Sequence, residues 1–438
     1  NPNGGSIVNE ITIESSQVFA QNMGKNGQQC CGAGIGGNLR DFVKISNSNV
    51  TVIGGYSSSG IGGSTGFSVG DIVIINCNVS ASSVIEGAAI GASCRGEVNN
   101  ITIIDSSIDA FSGRNEEKEE VKSAAIGGGY LSSSKLITIK NSIVKAVSGW
   151  SSSAAGIGGG QNGLIEMIEI EDSYVVAISS LDSSRCSHKN SGGAGIGTGS
   201  STGEKSEENK ATIRIKNSFV SSFGSNIHIQ SEVNSPLLCG AAIGHSGFDN
   251  TLIDIFVVNS TIFAYGGNAT SIGSAASSAF LGGLVKNSEK ITIDNSNIFA
   301  VPGSSVSKSS MYLTSSFGKN FIPVLSELSG QISIENSDIQ SVSINNAKND
   351  YFSVVFDKFS LTGSSNIELH SSCGSPIVSN DATFSVPILT LSNLRRLNLT
   401  QLSIFAEKVI FEKKVILGSN DDSVSLSLPF ANEKYLIR

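Results

Sequence analysis

Carboxylates that alternate with apolar residues are the side chains of this 438-residue chain whose spacing could support acid–base chemistry. A general acid and a general base must be held several ångströms apart on one rigid face. The alternating carboxylates are Glu14, Glu169, Glu171, Asp294 and Glu335. Only Asp294 and Glu335 occupy the same place in neighbouring repeats, and a solvent-facing strand needs charges anyway. The sequence therefore predicts that the chain is not an enzyme, with a polysaccharide lyase or glycoside hydrolase as the alternative.

Further motifs that could do chemistry are incomplete. Polygalacturonases combine Asn-Thr-Asp, Asp-Asp, Gly-His-Gly and Arg-Ile-Lys in that order, whereas here Arg214-Ile215-Lys216 precedes Gly244-His245-Ser246 and the upstream acidic pairs are missing. Calcium-binding nonapeptide repeats contain an Asp ligand that residues 193–197 lack. The seven cysteines include no Cys-x-x-Cys pair, which leaves zinc and redox motifs unsupported. We expect no catalytic residue, no metal and no cofactor.

The four histidines are widely separated in the sequence, and three lie in or beside segments that read as loops. We expect them to be solvated polar residues. They are His188, His228, His245 and His370.

Two repeated signatures position these side chains. The first is Ile-Gly-Gly or a close variant, and it occurs eight times, with its isoleucine at Ile35, Ile61, Ile90, Ile126, Ile157, Ile196, Ile243 and Ile272. The second is Ile-x-Ile-x-(Asn/Asp)-Ser-x-Val-x-Ala, as in residues 137–146, and its period of two is that of a strand. The links between the blocks are rich in Gly and Ser and show no helical stripe.

Parallel strands joined by turns, with one coil per repeat, make a solenoid. The sequence predicts an all-β fold, a right-handed single-stranded parallel β-helix of about 10–11 coils with three short strands in each. The missing Leu-x-x-Leu-x-Leu pattern excludes a leucine-rich repeat. We expect residues 1–385 to form the β-helix and residues 386–438 to form a β-rich closing segment or the start of a further module.

A bend separates the two strands of the second signature, and its first residue is Asn or Asp. We expect these side chains to point inward and to stack as a hydrogen-bonded ladder at one corner. Nine equivalent positions favour a structural role over ligand binding. Cys77 replaces the Ser that follows, so we expect a buried thiol. The ladder residues are Asn47, Asn76, Asp105, Asn141, Asp172, Asn217, Asn259, Asn295 and Asn336.

Three phenylalanines are candidates for a contact patch. Phe263 and Phe299 alternate outward in neighbouring coils, and Phe256 lies on the adjoining strand. Exposed aromatic side chains on a rigid face can stack on sugars or pack against a partner protein.

Six sequons for N-glycosylation are present, and we expect modification at Asn49, Asn78, Asn100, Asn268 and Asn398. The sixth, at Asn259, falls in the ladder and should remain unmodified. The start at Asn1-Pro2 indicates a mature form or a piece of a longer protein. The sequons favour an extracellular or cell-surface location.

The composition of the chain argues against a nucleic acid partner and against a membrane span. Its net charge is −8, with 15% charged residues and no basic cluster, so we expect no nucleic acid partner. No run of about twenty apolar residues exists, so we expect no membrane span.

The combined pattern, as in Ala124-Ala125-Ile126-Gly127-Gly128-Gly129 followed by residues 137–142, resembles the Gly-rich parallel β-helix repeats of secreted and cell-surface proteins of bacteria and protists. The resemblance covers about residues 5–345 and carries no functional residues across. It implies a non-catalytic extracellular structural or adhesive β-solenoid that can assemble end to end into a filament or surface layer. Its partners would be copies of itself, surface glycans or proteins. The alternative is a carbohydrate-binding or polysaccharide-cleaving β-helix.

Overall fold

A right-handed parallel β-helix forms most of the molecule in the computed structural model. The structure describes residues 8–22, 32–113, 121–149, 153–180, 192–200, 209–226, 237–246, 251–268, 274–275, 278–281, 289–303, 314–318, 331–341, 351–355, 358–362, 365–370, 377–378, 381–384, 388–392, 401–406, 411–416, 423–427 and 433–437. Each coil after the first contributes one strand to each of three sheets, which we name A, B and C, and the first coil has described strands in A and B.

Sheet A carries the Ile-x-Ile strands, and its fifteen strands include twelve that pair in parallel. These are Val8–Glu14, Leu39–Ser46, Val69–Ile75, Glu97–Ile104, Ser133–Lys140, Leu164–Glu171, Lys210–Lys216, Leu252–Val258, Lys290–Asp294, Gln331–Glu335, Lys358–Thr362 and Asp381–Phe384.

Sheet B carries the Val-x-Ala strands, and we number the coils 1 to 12 by its parallel strands. These are Gln17–Gln21, Asn49–Ile53, Asn78–Ser82, Ser107–Phe111, Ile143–Val147, Tyr174–Ile178, Phe219–Phe223, Thr261–Tyr265, Asn297–Val301, Asp338–Ser341, Asn366–His370 and Ile388–Ser392.

Sheet C has eleven short strands, of which the first seven carry the Ile-Gly signature. These are Ile35–Gly37, Ile61–Gly63, Ile90–Gly91, Ile126–Gly127, Ile157–Gly158, Ile196–Gly197, Ile243–Gly244, Phe280–Leu281, Thr314–Gly318, Tyr351–Val355 and Ile377–Val378. A separate two-stranded sheet pairs Leu237–Leu238 with Ser274–Ala275.

The core is a column of apolar side chains, one layer per coil. In coil 5, Ile137, Ile139, Val144, Ala146 and the sheet C residue Ile126 are at most 1% exposed. They alternate with outward residues, as the period of two predicts. The described residues form twelve coils in sheets A and B, slightly more than expected, because the last two coils lack the Ile-x-Ile-x-(Asn/Asp)-Ser signature from which the number of coils is predicted.

Asn and Asp hold the corner between sheets A and B, as the sequence predicts. All nine ladder residues have φ between 46° and 52°, the left-handed region that Asn and Asp tolerate better than other non-glycine residues. An amide nitrogen donates to the Oδ1 of the preceding ladder residue at 2.5–3.2 Å, and the donors are Asn76, Asn141, Asn217, Asn259 and Asn295.

The ladder points outward, which corrects the expected inward direction. Asn47, Asn76 and Asn259 are exposed, as are the other six. The left-handed residue shifts the phase of the alternation, so that the next residue takes the inward place. Asp105 and Asp172 accept from the following coil but have no hydrogen to donate to the preceding one, and they therefore divide the ladder into segments.

A second ladder, of serines, lines the inside of the same corner. The hydroxyl of Ser173 accepts a hydrogen bond from the backbone N–H of Ser142 at 3.1 Å and donates to the carbonyl of Glu171 at 2.6 Å. Corresponding hydroxyls are Ser48, Ser106, Ser142, Ser218, Ser260, Ser296, Ser337 and Ser365. Cys77 is buried in the same row, as predicted, and its thiol donates to the carbonyl of Ile75.

Glycines after the isoleucine form the tightest part of sheet C. Gly91 has φ +140°, and a Cβ there would overlap the carbonyl oxygen of Gly127 in the next coil. Only glycine adopts this backbone region readily. The same geometry recurs at Gly36, Gly62, Gly127, Gly158 and Gly197.

Phe280 takes the place in this stack that the sequence predicts for the eighth signature. Phe280 pairs with Ile243 in sheet C, in the place expected for Ile272, which lies outside the described residues. Ser274, the last residue of that signature, pairs with Leu237 outside the three sheets. The side chain of Phe280 is buried and stacks on Phe317 of the next coil, with ring centroids 5.0 Å apart.

Antiparallel strands follow the last parallel coil. Ser423–Ser427 pairs with Ile388–Ser392 of sheet B, and Glu433–Ile437 pairs with Asp381–Phe384 of sheet A. Gln401–Ala406 and Phe411–Ile416 extend sheet A further. Thus two of the three sheet edges at this end are covered by the chain itself.

The lengths of the connections differ between corners. Two residues turn the chain from sheet A to sheet B, as Asn47 and Ser48 do between Ser46 and Asn49. From sheet B to sheet C the length varies, from the short link between Ser82 and Ile90 to the long one between Phe223 and Ile243. The connections from sheet C to sheet A vary as well, from one residue between Gly37 and Leu39 to twelve between Gly197 and Lys210, so length variation lies at the two corners of sheet C.

Candidate functional site: the outer face of sheet B

The outer face of sheet B carries a network of aromatic rings. The first, third and fifth residues of each strand face outward, and we call these positions rows 1, 3 and 5. Phe263 and Phe299 lie in row 3 of neighbouring coils with ring centroids 5.8 Å apart. The aromatic patch comprises Tyr174, Phe219, Phe223, Phe263, Tyr265 and Phe299, all joined by ring contacts.

The alternation of the strand creates this patch. In coil 8, Ile262 and Ala264 are buried in the core, while Phe263 and Tyr265 are partly exposed on the other face. The parallel register places Phe223 beside Tyr265 and Phe219 beside Thr261. The rings are therefore fixed by the backbone ladder rather than by a loop.

Ring orientation limits what the patch can bind. The rings of Tyr174 and Phe219 are 4.9 Å apart and inclined by 3°, and those of Phe223 and Tyr265 are 4.8 Å apart and inclined by 3°. Parallel rings this close must lie one on the other, since two rings side by side in one plane would overlap. They cover each other's faces and present their edges to solvent, whereas stacking on a sugar requires an open face.

The patch has a projecting end and a depressed end. Ile143 and Tyr174, in row 1 of coils 5 and 6, are 62% and 47% exposed. At coils 8 to 10 there is a shallow depression of about 420 Å³, lined by Thr261, Ile262, Phe263, Asn297, Ile298, Phe299, Asp338, Ile339 and Gln340. Lys145 and Asp338 are exposed at opposite ends.

Phe256 belongs to a different face. It lies on the outside of sheet A, where the Arg214 guanidinium carbon and the Lys290 ammonium nitrogen are each 6.0 Å from its ring centroid. The structure brings Phe263 and Phe299 together and places Phe256 apart from them, among cations. The sequence pattern did not single out Tyr174, Phe219, Phe223 and Tyr265, although alignment of the repeats in register would have placed them beside Phe263.

The outside of sheet A carries charges in neutralising pairs. Arg214 donates to Glu169 at 3.1 Å, and Glu171 lies 3.0 Å from the Lys140 nitrogen and 2.8 Å from that of Lys216. Hydrogen bonds from Lys216 and then from Lys140 lower the pKa of Glu171 and keep it ionised, which is unsuitable for a general acid.

The carboxylate pair expected from sequence is adjacent. Asp294 and Glu335 are in register on neighbouring strands of sheet A, with Asp294 partly buried and Glu335 exposed.

Amides line a second depression, of about 520 Å³, along the corner of sheets A and B. Its walls are Asn47, Ser48, Asn49, Asn76, Cys77, Asn78, Asp105, Ser106, Ser107, Asn141 and Ile143. Three rows contribute: the outward ladder, the inner serine ladder with Cys77, and row 1 of sheet B. Asn49 and Asn78 are exposed there, as their sequons require.

The other sequon residues differ in exposure. The Asn100 amide nitrogen donates to Asp71 at 2.9 Å and is partly buried, and Asn268 is also partly buried. Asn398 lies outside the described residues. The Asn259 amide is exposed but occupied in the ladder, so its protection would come from hydrogen bonds rather than from burial.

A cluster of polar side chains next to sheet C surrounds Glu86. Ser57 donates to Glu86 at 2.8 Å, Lys122 lies 3.4 Å from the same carboxylate, and the Cys94 thiol is hydrogen bonded to it. Burial, followed by the charge of Glu86, raises the pKa of Cys94 to about 12. The thiol is therefore protonated at neutral pH and unsuited to nucleophilic attack.

One histidine is buried, contrary to the expectation from sequence. His245 and Glu289 are fully buried and hydrogen bonded to each other through Nε2 and Oε1. Glu289 lies two residues before Ile291 and therefore at the inward position that Ile253 occupies one coil earlier. This spacing indicates that the Glu289 side chain is buried, and the expectations from sequence did not include it. His188 and His228 lie outside the described residues, and the side chain of His370 is also not described.

Among the described residues, Cys77 and Cys94 are free thiols. The same part of the chain has no group of three His, Cys, Asp or Glu side chains placed to hold a metal ion. It also has no helix long and apolar enough to cross a membrane.

Comparisons with protein-family models, with curated proteins and with solved structures found no match to this chain. The parallel β-helix thus rests on the structure itself, and function must be argued from the faces described above.

Proposed function

We propose that the chain is a non-catalytic extracellular protein that acts as a structural or adhesive rod, with the aromatic patch as its contact surface. The observation that carries this proposal is the network of six rings on one flat face of sheet B. Contiguous exposed apolar surface marks interaction sites, and aromatic side chains dominate the energy of most interfaces.

The rigidity of the patch supports a binding role. Each ring stands on a strand that is hydrogen bonded to both neighbouring coils, and its neighbours restrict its rotamers. Little conformational entropy is then lost when a partner covers the patch, so more of the contact energy appears as affinity.

The titratable groups support a non-catalytic role. The carboxylate of Glu171 is held ionised between two lysines, and the thiol of Cys94 is held protonated. Neither group has the pKa near neutrality that acid–base or nucleophilic catalysis requires.

The contact is lateral in this proposal rather than end to end. Antiparallel strands already pair with the last parallel strands of sheets A and B, so a second copy cannot continue the stack by parallel pairing with coil 12 in these sheets. The outer face of sheet B, by contrast, is open along coils 5 to 10.

A matched pair of variants tests the proposal. Phe263→Ser combined with Phe299→Ser removes the centre of the patch, while Phe19→Ser removes a row 3 phenylalanine that is 71% exposed in coil 1, outside the patch. We expect the double variant to bind cell-surface and matrix-coated sensors at least about tenfold more weakly than wild type, and Phe19→Ser to bind normally. Equal binding by the double variant would reject the patch as the contact surface.

Catalysis is tested separately with a panel of polysaccharides. Release of new reducing ends by the purified protein, at a rate that depends on Asp294 and Glu335, would contradict the non-catalytic proposal.

A second candidate function is carbohydrate binding, which the amide-lined depression favours. Carboxamides and hydroxyls supply both donors and acceptors, as sugar hydroxyls require. Asn78→Ala should then abolish binding on a glycan array without altering the fold, whereas Ser80→Ala, on the same strand but outside the depression, should not. Retained binding by Asn78→Ala would remove this candidate. A glycan attached to Asn49 or Asn78 would fill the depression, and intact-mass measurement reveals one.

A further inference from the structure

We infer that the occupant of the aromatic patch is a second copy of this chain, packed through sheet B in an antiparallel twofold dimer. The twofold axis lies between the facing sheets, along the strand direction, and passes between coils 7 and 8. The inference rests on the proposed function, because it names the partner of the same patch.

The orientation of the rings favours a protein surface over a sugar. The stacked pairs Tyr174–Phe219 and Phe223–Tyr265 present edges, which interdigitate with side chains of an opposing sheet about 10 Å away.

Sheet B is complementary to itself in this arrangement. The axis keeps each row opposite itself and exchanges coils 7 and 8, 6 and 9, and 5 and 10. In row 3, Phe263 then faces Ser221 of the second copy and Phe299 faces Val176; in row 1, Phe219 faces Thr261 and Tyr174 faces Asn297. Each of these rings meets a smaller side chain, so ridges on one copy fit depressions on the other. Row 5 pairs Phe223 with Tyr265.

The projecting end also matches the depressed end. Ile143 and Tyr174 of one copy face coils 10 and 9 of the other, where the depression of about 420 Å³ is lined by Asn297, Phe299 and Asp338.

Charge distinguishes the antiparallel from the parallel dimer. With the axis along the solenoid, Lys145 would face Lys145 and Asp109 would face Asp109 of the second copy. In the antiparallel dimer Lys145 faces Gln340, and Asp338 lies two residues along the same strand, about 7 Å away and within reach of a lysine side chain. Two Lys145–Asp338 pairs therefore close the two ends of the interface.

The size of the contact sets its strength. Six coils at about 4.8 Å and strands about 16 Å long give roughly 460 Å² per copy. The total is below the roughly 1,200–2,000 Å² of standard stable interfaces, so a weak dimer with a Kd in the micromolar range or above is expected.

Sedimentation velocity of the intact chain, from about 1 to 300 µM, tests the inference. Wild type should change reversibly from monomer to dimer as concentration rises. Phe263→Asp should weaken the dimer at least about tenfold, and Phe19→Asp should leave it unchanged. Lys145→Glu and Asp338→Lys should each weaken it, and the two together should restore it. The thermal unfolding midpoint of each variant confirms folding.

Three results would overturn the dimer. A wild-type protein that stays monomeric at every concentration would overturn the dimer. If adhesion still depends on the patch in that case, the proposed function stands without the dimer. A dimer indifferent to Phe263→Asp uses another face. If Lys145→Glu and Asp338→Lys together fail to restore the dimer, the antiparallel register is excluded. Loss of both dimer and patch-dependent adhesion would instead reject the proposed function itself.

Discussion

Sheet C and the outer face of sheet B differ in how strictly the repeat restricts the type of residue at each position. In sheet C the backbone conformation recurs from coil to coil, and Gly62, Gly91 and Gly158 leave no room for a side chain. On sheet B the same outward place holds Lys145, Ser221 or Phe263 in different coils. In the seven Ile-Gly strands, contacts between successive backbones permit only glycine after the isoleucine, whereas outward positions of sheet B accept many residue types. The difference indicates where substitutions should damage folding and where they should change only recognition.

The largest expected effect is at the glycine stack. Gly91→Ala forces a side chain into a φ of +140° and against the carbonyl of Gly127, so we expect a loss of about 3–5 kcal/mol in the free energy of unfolding. Gly37→Ala is the control, because Gly37 has φ +138° but the nearest atom to a Cβ there is 3.8 Å away, with an expected loss of about 1–3 kcal/mol. Urea denaturation measures both. Equal losses would show that φ alone, and not the contact between coils, requires glycine in sheet C.

The inner serine ladder should come next. Ser173→Ala leaves the buried N–H of Ser142 without its acceptor and should cost about 1–3 kcal/mol. Ser80→Ala, on the outer face of sheet B, should change stability by less than about 0.5 kcal/mol. If Ser173→Ala leaves the free energy of unfolding unchanged, inward and outward serines do not differ in their contribution to stability.

Substitution in the outer Asn/Asp ladder should reduce stability by an amount between that expected for the inner serine ladder and that expected for the exposed face of sheet B. Asn217 donates to Asp172 at 3.0 Å and accepts from Asn259 at 3.2 Å, while its φ is 50°. Asn217→Ala should cost about 1–2 kcal/mol and Asn217→Gly less, since glycine adopts the left-handed region without strain. If both variants are equally stable, the hydrogen bonds outweigh the backbone conformation.

The smallest effect belongs to the exposed ion pairs of sheet A. The pKa of Glu171 is lowered and that of Lys216 is raised by their mutual hydrogen bond. A lowered carboxylate pKa stabilises the fold above the unfolded pKa, and this contribution is lost as pH falls through the folded value. Carboxyl NMR should find Glu171 titrating below its ordinary value near 4.5, with the pKa rising in Lys216→Met. Salt should weaken the shift, because exposed charges are screened. An unchanged pKa in Lys216→Met would show that the pair does not form.

The fold was largely predictable because its evidence is periodic. Alternation assigned the inward Ile137 and Ile139, and the spacing of the signatures assigned one coil to each repeat. The bend was only half predictable. Asn47 stacks as expected, but its outward direction depends on a left-handed φ that shifts the alternation by one residue.

The candidate site was less predictable, since its residues do not repeat. Phe263 and Phe299 are found from alternation, but ring contacts with Phe223 and Tyr265 depend on register between coils separated by connections of unequal length. Phe256 alternates in the same way, but it lies beside Arg214 on sheet A and not on sheet B. The buried pair of His245 and Glu289 depends on a contact between two coils, which no local pattern reports.

The unequal connections between sheets B and C suggest a use in protein engineering. The chain between Ser82 and Ile90 and the much longer chain between Phe223 and Ile243 join the same two sheets. Because lengthening a flexible connection costs only about 0.6 kcal/mol per doubling, a foreign peptide could be grafted at this corner in several successive coils. Copies of an epitope would then be displayed in a straight line, about 4.8 Å apart at their bases, on a scaffold whose coils need no redesign.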